Sequence, residues 1–289
     1  MISNKTFGII GGDLRQIEVV EILKKNKNHV LIHGFNKLKN HVNIQESNLE
    51  NLILKSDYII LPVPITRDKI NLNCDFNDIK INLEKDLFSN KNLKSKIIFG
   101  GIISDLENYI KKYEICIKDY YIEEFILQNA LITAEGAIQI ALEKSGRILN
   151  NSKCLVTGYG RIGKILSKIL KNLGAKVFVY TKNLDDTSWA KINNYEIINI
   201  KKLTEKVNFD FVFNTVPEII LDQNNLNLIK ISSLILDLAS EPGGVDKLVC
   251  EKLGIKLVRA LGIPGKIFPK SAGEILVKTV YKIISEENL

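Results

Sequence analysis

The sequence has few of the residues that usually carry metal, thiol or hydrolytic chemistry. Its three histidines, His29, His33 and His41, all lie within the first 41 residues. Its four cysteines are far apart along the chain, and none belongs to a Cys-x-x-Cys motif. This pattern argues against a metal site, a redox motif and a Ser-His-Asp hydrolase. Isolated cysteines of this kind are typical of reduced thiols in a cytosolic protein.

Long apolar runs and charge clusters are also missing. No stretch approaches the roughly 20 apolar residues of a membrane-spanning helix, and no basic-then-apolar signal segment opens the chain. The net charge of +7 comes from scattered lysines rather than from a compact basic arm, and no motif for reading a nucleic-acid groove is present. We therefore expect a cytoplasmic protein that binds neither membrane nor nucleic acid. Its positive charge suits an anionic cofactor and an anionic substrate.

A Gly-x-Gly-x-x-Gly motif at residues 158–163 is the clearest functional signal. A short apolar run precedes it, and a helical pattern follows over residues 164–173. In such a strand–turn–helix unit, Gly158 permits the tight turn, Gly160 lets the backbone approach a pyrophosphate, and Gly163 lets the helix pack on its strand. The alternative is a glycine-rich turn without a ligand. On the helix that follows the motif, the residues predicted to face the sheet are Ile162, Ile165, Leu166, Ile169 and Leu173.

The residues between the glycines are also candidates for binding the dinucleotide: Tyr159, Arg161 and Ile162. Unpaired N–H groups at the start of the helix would face the anion. The next strand, Lys176–Tyr180, ends without the Asp or Glu that usually bonds the ribose 2′-OH of NAD. Thr181 and Lys182 follow it instead, and a hydroxyl with an ammonium group suits a 2′-phosphate better. The pattern therefore favours NADP(H) over NAD(H), unless Lys182 is an ordinary exposed lysine.

Alternating strand and helix patterns predict an α/β protein with two Rossmann-like, doubly wound lobes. The first lobe covers residues 1–125, and a long helix within 126–150 joins it to an NADP-binding lobe at 151–265. Residues 266–289 form a C-terminal helix that packs back across the cleft onto the first lobe. This helix and the joining helix are expected to contribute residues to the cleft.

The first lobe offers candidates for an acidic substrate. Gly11-Gly12-Asp13 follows the first strand, but it lacks the full glycine pattern, so a second dinucleotide is not expected. The helix start with Arg15 and Gln16 could hold a small carboxylate. Equally, Asp13 could cap the helix and leave Arg15 in solvent. Pro62 ends a buried strand, and Arg67 just after it is a second candidate cation.

Other candidates lie in the joining helix and near the ends of strands in the second lobe. Glu135 could face the cleft at the start of the joining helix, or it could simply interact with the helix dipole. Gly265 and Lys270 flank the start of the C-terminal helix, where Lys270 is either a cleft residue or a solvated lysine. Strand-end turns beside the nicotinamide supply the remaining cofactor candidates: Asn214, Thr215, Pro217, Asp237 and Ala239.

The position of the histidines distinguishes this chain from one class of enzymes with the same two-lobe plan. D-2-hydroxyacid dehydrogenases have a similar two-lobe plan but use a histidine late in the chain as acid and base. Since no histidine follows His41, the sequence argues against that chemistry.

Taken together, the motifs resemble those of the A-subunit family of dipicolinate synthases from spore-forming bacteria, over nearly the full length. The matching segments are Gly11-Gly12-Asp13-Leu14-Arg15-Gln16, Leu61-Pro62-Val63, Ala134-Glu135-Gly136, residues 158–163, Asn214-Thr215-Val216-Pro217, residues 236–240 with Pro242-Gly243-Gly244, Pro264-Gly265, and residues 269–273. The chain departs from the family pattern at residues 64–71 and at Leu131-Ile132.

The resemblance implies NADP-linked oxidation of dihydrodipicolinate to dipicolinate during spore formation. It also implies a hetero-oligomer with a flavoprotein-like B subunit, for which FMN is a candidate cofactor. A dicarboxylate ring needs cations such as Arg15 and Lys270. In the absence of a cleft histidine, the base is Glu135, Asp13, Lys270 or a water, with Glu135 ranked first. Alternatives are an amino- or imino-acid dehydrogenase of the alanine dehydrogenase type, and a non-catalytic nucleotide-binding scaffold that activates its partner.

Overall fold

The computed structural model describes residues 2–38 and 46–289, so His41 lies outside the described residues. The chain divides into two compact units. Unit 1 comprises Met1–Gln128 together with Pro264–Leu289, and unit 2 comprises Asn129–Ile263. The C-terminal segment therefore belongs to the same unit as the N-terminus.

Unit 1 contains a parallel five-stranded sheet in the order β2-β1-β3-β4-β5. Its strands are β1 (Thr6–Ile10), β2 (His29–His33), β3 (Tyr58–Ile60), β4 (Ile97–Gly100) and β5 (Ile117–Asp119). Its helices are α1 (Leu14–Lys25), α2 (Leu49–Lys55), α3 (Glu107–Tyr113), the first residues of α4 (Glu123–Ser145), and α10 (Pro269–Glu286). The order reverses between β1 and β3, which makes their carboxyl ends the switch point where such sheets bind ligands.

Both faces of this sheet are buried, as expected for parallel strands covered by helices. Successive side chains of a strand point to opposite faces, and the core follows that alternation. Phe7 and Ile9 belong to one fully buried cluster, and Ile10 belongs to the other. Helices α1 and α10 cover the first face, where Leu23 and Leu276 are both 0% exposed.

Helix α10 packs closely against α1, and small residues make this approach possible. A Cβ added to Gly273 would lie within 3.0 Å of the Glu18 side chain. Farther along α10, the Tyr281 hydroxyl accepts a hydrogen bond of 3.1 Å from the Asn28 side chain. Lys282 forms a 2.7 Å ion pair with Glu124 at the start of α4. The C-terminal helix is thus an integral layer of unit 1.

Unit 2 contains a parallel six-stranded sheet in the order β11-β10-β9-β6-β7-β8. Its strands are β6 (Lys153–Thr157), β7 (Lys176–Tyr180), β8 (Glu196–Ile197), β9 (Phe211–Asn214), β10 (Leu234–Asp237) and β11 (Lys256–Arg259). Between them lie α5 (Arg161–Asn172), α6 (Leu184–Ile192), α7 (Gln223–Leu226) and α8 (Lys247–Leu253), and the short helix α9 (Ile263–Ile267) follows β11. This is the strand order of a dinucleotide-binding Rossmann sheet, with its switch point between β6 and β9. The predicted α/β class with two Rossmann-like lobes is confirmed.

The inner face of α5 differs from the predicted one. Its buried residues are Gly163, Leu166, Ser167 and Leu170, whereas Leu173 is 45% exposed. The close approach of Gly163 to the Gly158 carbonyl sets the rotation of the helix, so the residues three, four and seven positions later face the sheet. The predicted isoleucines Ile162, Ile165 and Ile169 are half-buried at the side of the helix.

Helix α4 is 23 residues long, and Glu135 lies near its middle. The prediction that Glu135 stands at a helix start is therefore wrong, and the helix dipole does not account for it because that effect falls off within the first turn. Among the described helices, α4 alone is long and apolar enough to cross a membrane, by length and composition. Half of its most apolar 18 residues are buried within the protein, and core helices can have the same length and composition.

Candidate dinucleotide and substrate sites

The glycine turn lies at the switch point of the unit 2 sheet. Gly158 follows β6 with a φ of +91°, a conformation that favours glycine. Its N–H donates a 2.7 Å hydrogen bond to the carbonyl of Tyr180 at the end of β7. An added Cβ at Gly158 would lie within 3.0 Å of the Thr215 hydroxyl, just beyond β9. The ends of three adjacent strands therefore converge on this turn.

The other two glycines of the turn have separate physical roles. A Cβ on Gly163 would lie within 3.0 Å of the Gly158 carbonyl oxygen, so only glycine lets α5 pack against β6 at this point. Gly160 is the N-cap of α5 with a φ of −76°, and no described side chain caps the helix there. No described heavy atom lies within 4 Å of a Cβ added to Gly160. Open space before uncapped N–H groups at the start of a 12-residue helix suits a pyrophosphate.

A row of polar side chains crosses the carboxyl ends of four neighbouring strands. Strand register pairs Thr157 with Asn214, Asn214 with Asp237, and Asp237 with Arg259. The Thr157 hydroxyl donates to the Asn214 side chain at 2.7 Å, whose amide nitrogen donates to Asp237 at 2.7 Å. Arg259 completes the row with a 2.6 Å bond to the second oxygen of Asp237. Such a satisfied buried network fixes the strand-end turns relative to one another.

The side chains of Asn214 and Asp237 are fully buried and occupied by these bonds. Asn214 also bonds the backbone N–H and carbonyl of Val216. Asp237 also accepts from the backbone N–H groups of Ala239 and Gly244, at 3.3 and 3.2 Å. Both predicted cofactor residues therefore shape the turns through which the backbone could reach a ligand.

Sequence reasoning missed Arg259, although a charged residue at the last position of a parallel strand is a usable signal. Its guanidinium group also donates to the Pro242 carbonyl at 3.1 Å and pairs with Glu241 at 3.0 Å. Arg259 thus ties the turn after β10 to the end of β11. Thr157 was missed as well, because a buried threonine looks like any other strand residue.

The end of β7 carries the predicted Thr181 and Lys182. The ammonium group of Lys182 lies 2.8 Å from both carboxylate oxygens of Glu218, four residues beyond the end of β9. The side chains of Lys182 and Glu218 are 49% and 65% exposed. Thr181 accepts a 3.2 Å bond from the N–H of Asn183, whose own side chain caps α6. Lys182 is therefore paired in this structure.

The remaining cofactor candidates differ in exposure. Tyr159 is buried, and its ring packs edge-on against Tyr195 at 6.0 Å. Burial raises the pKa of Tyr159 to about 12, so its hydroxyl stays protonated. In the first turn of α5, Arg161 is exposed and Ile162 is half-buried, while Pro217 is exposed beyond β9.

In unit 1, Asp13 and Arg15 form a tight ion pair at the start of α1. One carboxylate oxygen of Asp13 accepts from the Arg15 backbone N–H and Nε, at 3.1 and 2.9 Å. The other oxygen accepts from an Arg15 terminal nitrogen at 3.0 Å. The side chains are only 13% and 6% exposed. Asp13 caps the helix, as one of the two predicted alternatives stated, but Arg15 is buried beside it and not in solvent.

Gln16 completes a capping box and leaves one donor unpaired. Its side-chain oxygen accepts a 3.0 Å bond from the N–H of Asp13. Its amide nitrogen is buried and has no partner among the described residues. A Cβ on Gly12 would lie within 3.0 Å of this side chain, and Gly265 would similarly meet the Asp13 carboxylate. The backbone at Gly12 and at Gly265 therefore packs directly against the polar cluster formed by Asp13, Arg15 and Gln16.

A loop beyond β3 bonds to the backbone of Gly12, next to this cluster. The N–H of Gly12 donates to the Asn73 carbonyl at 2.9 Å, and the Gly12 carbonyl accepts from the Asp75 N–H at 3.0 Å. Arg67 is 62% exposed and lies 3.6 Å from the Asp75 carboxylate. Pro62 is buried at the end of β3. The loop therefore brings a cation and a carboxylate beside the switch point of unit 1.

The last two catalytic candidates are exposed side chains. Lys270 lies in the first turn of α10 in unit 1, and Glu135 lies on the middle of α4 in unit 2. Within residues 2–38 and 46–289, no group of three or more His, Cys, Asp or Glu side chains is arranged to hold a metal ion.

Two protein-family models match the chain. The model for the N-terminal domain of the dipicolinate synthase A subunit matches residues 6–121. The model described as "D-isomer specific 2-hydroxyacid dehydrogenase, NAD binding domain" matches residues 128–240. The second match covers the dinucleotide-binding domain of that dehydrogenase class, so it is compatible with the absence of a late histidine. Unit 2 is thus a dehydrogenase-type domain for a nicotinamide dinucleotide.

Full-length relatives agree with these domain matches. The dipicolinate synthase A subunit of Bacillus subtilis (strain 168) is 30% identical over 293 residues, covering 99% of this chain and 98% of that protein. The crystal structure of the dipicolinate synthase A subunit from Bacillus halodurans aligns with a TM-score of 0.81 at 27% identity, over 98% and 99% of the two chains. The corresponding crystal structure from Bacillus subtilis aligns with a TM-score of 0.79 at 29% identity, over 99% and 97%. The chain therefore belongs to the A-subunit family of dipicolinate synthases.

Proposed function

We propose that this protein is the nicotinamide-dependent subunit of a dipicolinate synthase. In this role it oxidises dihydrodipicolinate to dipicolinate with NADP, together with a second, flavoprotein-like B subunit that carries FMN. The assembly is a cytoplasmic hetero-oligomer that acts during spore formation. The observation that carries the proposal is the open glycine turn at the β6/β9 switch point, in a chain whose relatives are named for this synthase.

Unit 2 would bind the dinucleotide mainly through backbone. The N–H groups at the start of α5 would bind the pyrophosphate beside Gly160. Thr181 and Lys182 would hold the 2′-phosphate of the adenosine ribose. The turns held by Asn214 and Asp237 would position the nicotinamide end through Thr215, Pro217 and Ala239. When bound, the nicotinamide supplies a hydride acceptor for the substrate ring.

Unit 1 would bind the dicarboxylate ring. The start of α1 is already capped by Asp13, but the unpaired amide nitrogen of Gln16 is a donor that lacks an acceptor. A buried donor without a partner costs about 1–3 kcal/mol, so a substrate oxygen that reached it would recover this energy. Since Asp13 neutralises Arg15 and Asp75 pairs with Arg67, the net positive charge for a dianion would come mainly from Lys270.

The chemistry requires removal of a ring proton as the hydride leaves, and the product ring becomes aromatic. Asp13 is poorly suited to take that proton, because its carboxylate already accepts three bonds from Arg15. We rank Glu135 first as the base and Lys270 second. Glu135→Gln should lower turnover of the assembled two-subunit enzyme by about 100-fold or more with little change in NADPH affinity. Full turnover by this variant would remove Glu135 from the mechanism.

The direct test is an assay of dihydrodipicolinate oxidation with the partner subunit present and absent. We expect dipicolinate and reduced coenzyme to form in equal amounts, only with both subunits, and faster with NADP than with NAD. Oxidation of an amino acid by this chain alone would instead favour a dehydrogenase of the alanine dehydrogenase type. Tight NADPH binding without NADP reduction in a single-turnover mixture would favour a non-catalytic scaffold.

A further inference from the structure

A carboxylate from the loop after β9 lies at the end of β7, where the usual acidic residue is missing. In NAD-binding sheets an Asp or Glu at the end of the second strand bonds the ribose 2′-OH. Here Lys182 occupies that region, and the Glu218 carboxylate lies 2.8 Å from its ammonium group. Glu218 is 36 residues away in the sequence, so only the fold brings the two together.

The first acidic residues that follow β7 in the sequence, Asp185 and Asp186, lie in the first turn of α6. Asp186, in the first turn of α6, pairs with Lys164 at 2.8 Å. The carboxylate that the structure holds against the Lys182 ammonium group is that of Glu218, at the end of the strand where sheets of this type recognise the ribose.

The geometry of Glu218 is tied to the dinucleotide turn. Its loop begins at Thr215, whose N–H and hydroxyl both donate to the Thr157 carbonyl at 2.9 Å, at the end of β6. The same Thr215 hydroxyl is the atom that a Cβ added to Gly158 would meet. The loop that carries Glu218 is thus anchored on the strand that leads into the glycine turn.

We propose that Lys182 and Glu218 together set the coenzyme preference, with Glu218 limiting the selectivity for NADP. This inference rests on the proposed binding of a nicotinamide dinucleotide to unit 2. A 2′-phosphate must draw Lys182 away from Glu218 and then tolerate the neighbouring carboxylate. A 2′-OH can instead donate to Glu218 while the ion pair stays intact. The wild-type protein therefore binds NADPH in preference to NADH by a modest factor and accepts both.

The ion pair is suited to such a role because it contributes little to folding. Its side chains are about half exposed or more, and exposed pairs of this kind are weak. A ligand phosphate can compete with it, and either residue can be changed without unfolding unit 2. A matched control exists in unit 1, where Glu114 pairs with Lys94 at 2.5 Å with similar exposure.

The experiment measures NADPH and NADH dissociation constants for the full chain and for E218Q, K182Q and E114Q, with thermal unfolding as a check on folding. We expect E218Q to bind NADPH roughly tenfold more tightly and NADH more weakly, a shift that corresponds to about 1.4 kcal/mol. K182Q should lose roughly tenfold for NADPH and little for NADH, and E114Q should match wild type. Folded E218Q with an unchanged NADPH-to-NADH ratio would overturn this inference while leaving the proposed function intact. Absence of binding by every protein would overturn both.

Discussion

Two glycine-to-alanine substitutions in the glycine turn are predicted to affect different properties, one the affinity for the coenzyme and the other the stability of the fold. Gly160→Ala adds a methyl group to open space at an ordinary φ of −76°. Gly163→Ala adds the same group within 3.0 Å of the Gly158 carbonyl, where ordinary contact begins at 3.4 Å. The first change therefore affects an incoming ligand, and the second affects the packing of α5 on β6.

The magnitudes follow from these distances. Overpacking at Gly163 should cost about 1–3 kcal/mol, because the obstacle is backbone and cannot rotate away. In a chain of this size that lowers the melting temperature by roughly 2–12 °C. Replacing glycine by alanine at the N-cap position of Gly160 should cost less than about 1 kcal/mol. A pyrophosphate that packs on Gly160 should lose roughly tenfold or more in affinity from one intruding methyl group.

Circular dichroism melts and NADPH fluorescence titrations separate the two effects. We expect Gly160→Ala to melt near wild type but to bind NADPH weakly. We expect Gly163→Ala to melt at a clearly lower temperature. Wild-type NADPH affinity in folded Gly160→Ala would refute the placement of the pyrophosphate, and a wild-type melt for Gly163→Ala would refute the packing argument.

Two further predictions concern buried polar groups in unit 2. Arg259→Met leaves the fully buried Asp237 carboxylate without its cation. The free energy of unfolding, measured with urea, should fall by about 3 kcal/mol, which is near the lower limit for a broken buried pair because Arg259 is 25% exposed. The control Arg147→Met removes an exposed pair and should cost about 0.2–1 kcal/mol; equal losses would contradict the role of the strand-end row. Burial raises the pKa of the Cys154 thiol from 9.0 to about 12, so the stability that Cys154 contributes as a neutral thiol is complete below about pH 9 and is lost as the pH rises toward 12. The stability advantage of wild type over Cys154→Ala should therefore shrink above about pH 9, whereas an advantage that does not change with pH would show that burial does not perturb the thiol.

The sheets were predictable because buried parallel strands form short apolar runs bounded by turn residues. Strand β7 has the predicted bounds, Lys176–Tyr180. Helix α6 was not predicted, since it exposes Leu184 and Trp189 and therefore lacks an apolar stripe. The Asn183 cap that precedes it was the available signal.

The chemistry of the site was less predictable than the fold, because it depends on partners that are distant in sequence. Nothing in the sequence near Lys182 indicates its partner Glu218, and nothing near Asp237 indicates Arg259. Arg15 could be interpreted as a free cation until the structure placed its guanidinium on Asp13. Glu135 was placed at a helix start, whereas the bounds of α4 put it near the middle of the helix.

The central claim is that the turn at residues 158–163 binds a nicotinamide dinucleotide through backbone. A crystal structure of the full chain with bound NADPH tests it most directly. The account predicts a pyrophosphate against Gly160 at the start of α5, with the 2′-phosphate beside Lys182. A dinucleotide bound elsewhere, with this turn empty or filled by a side chain, would contradict it.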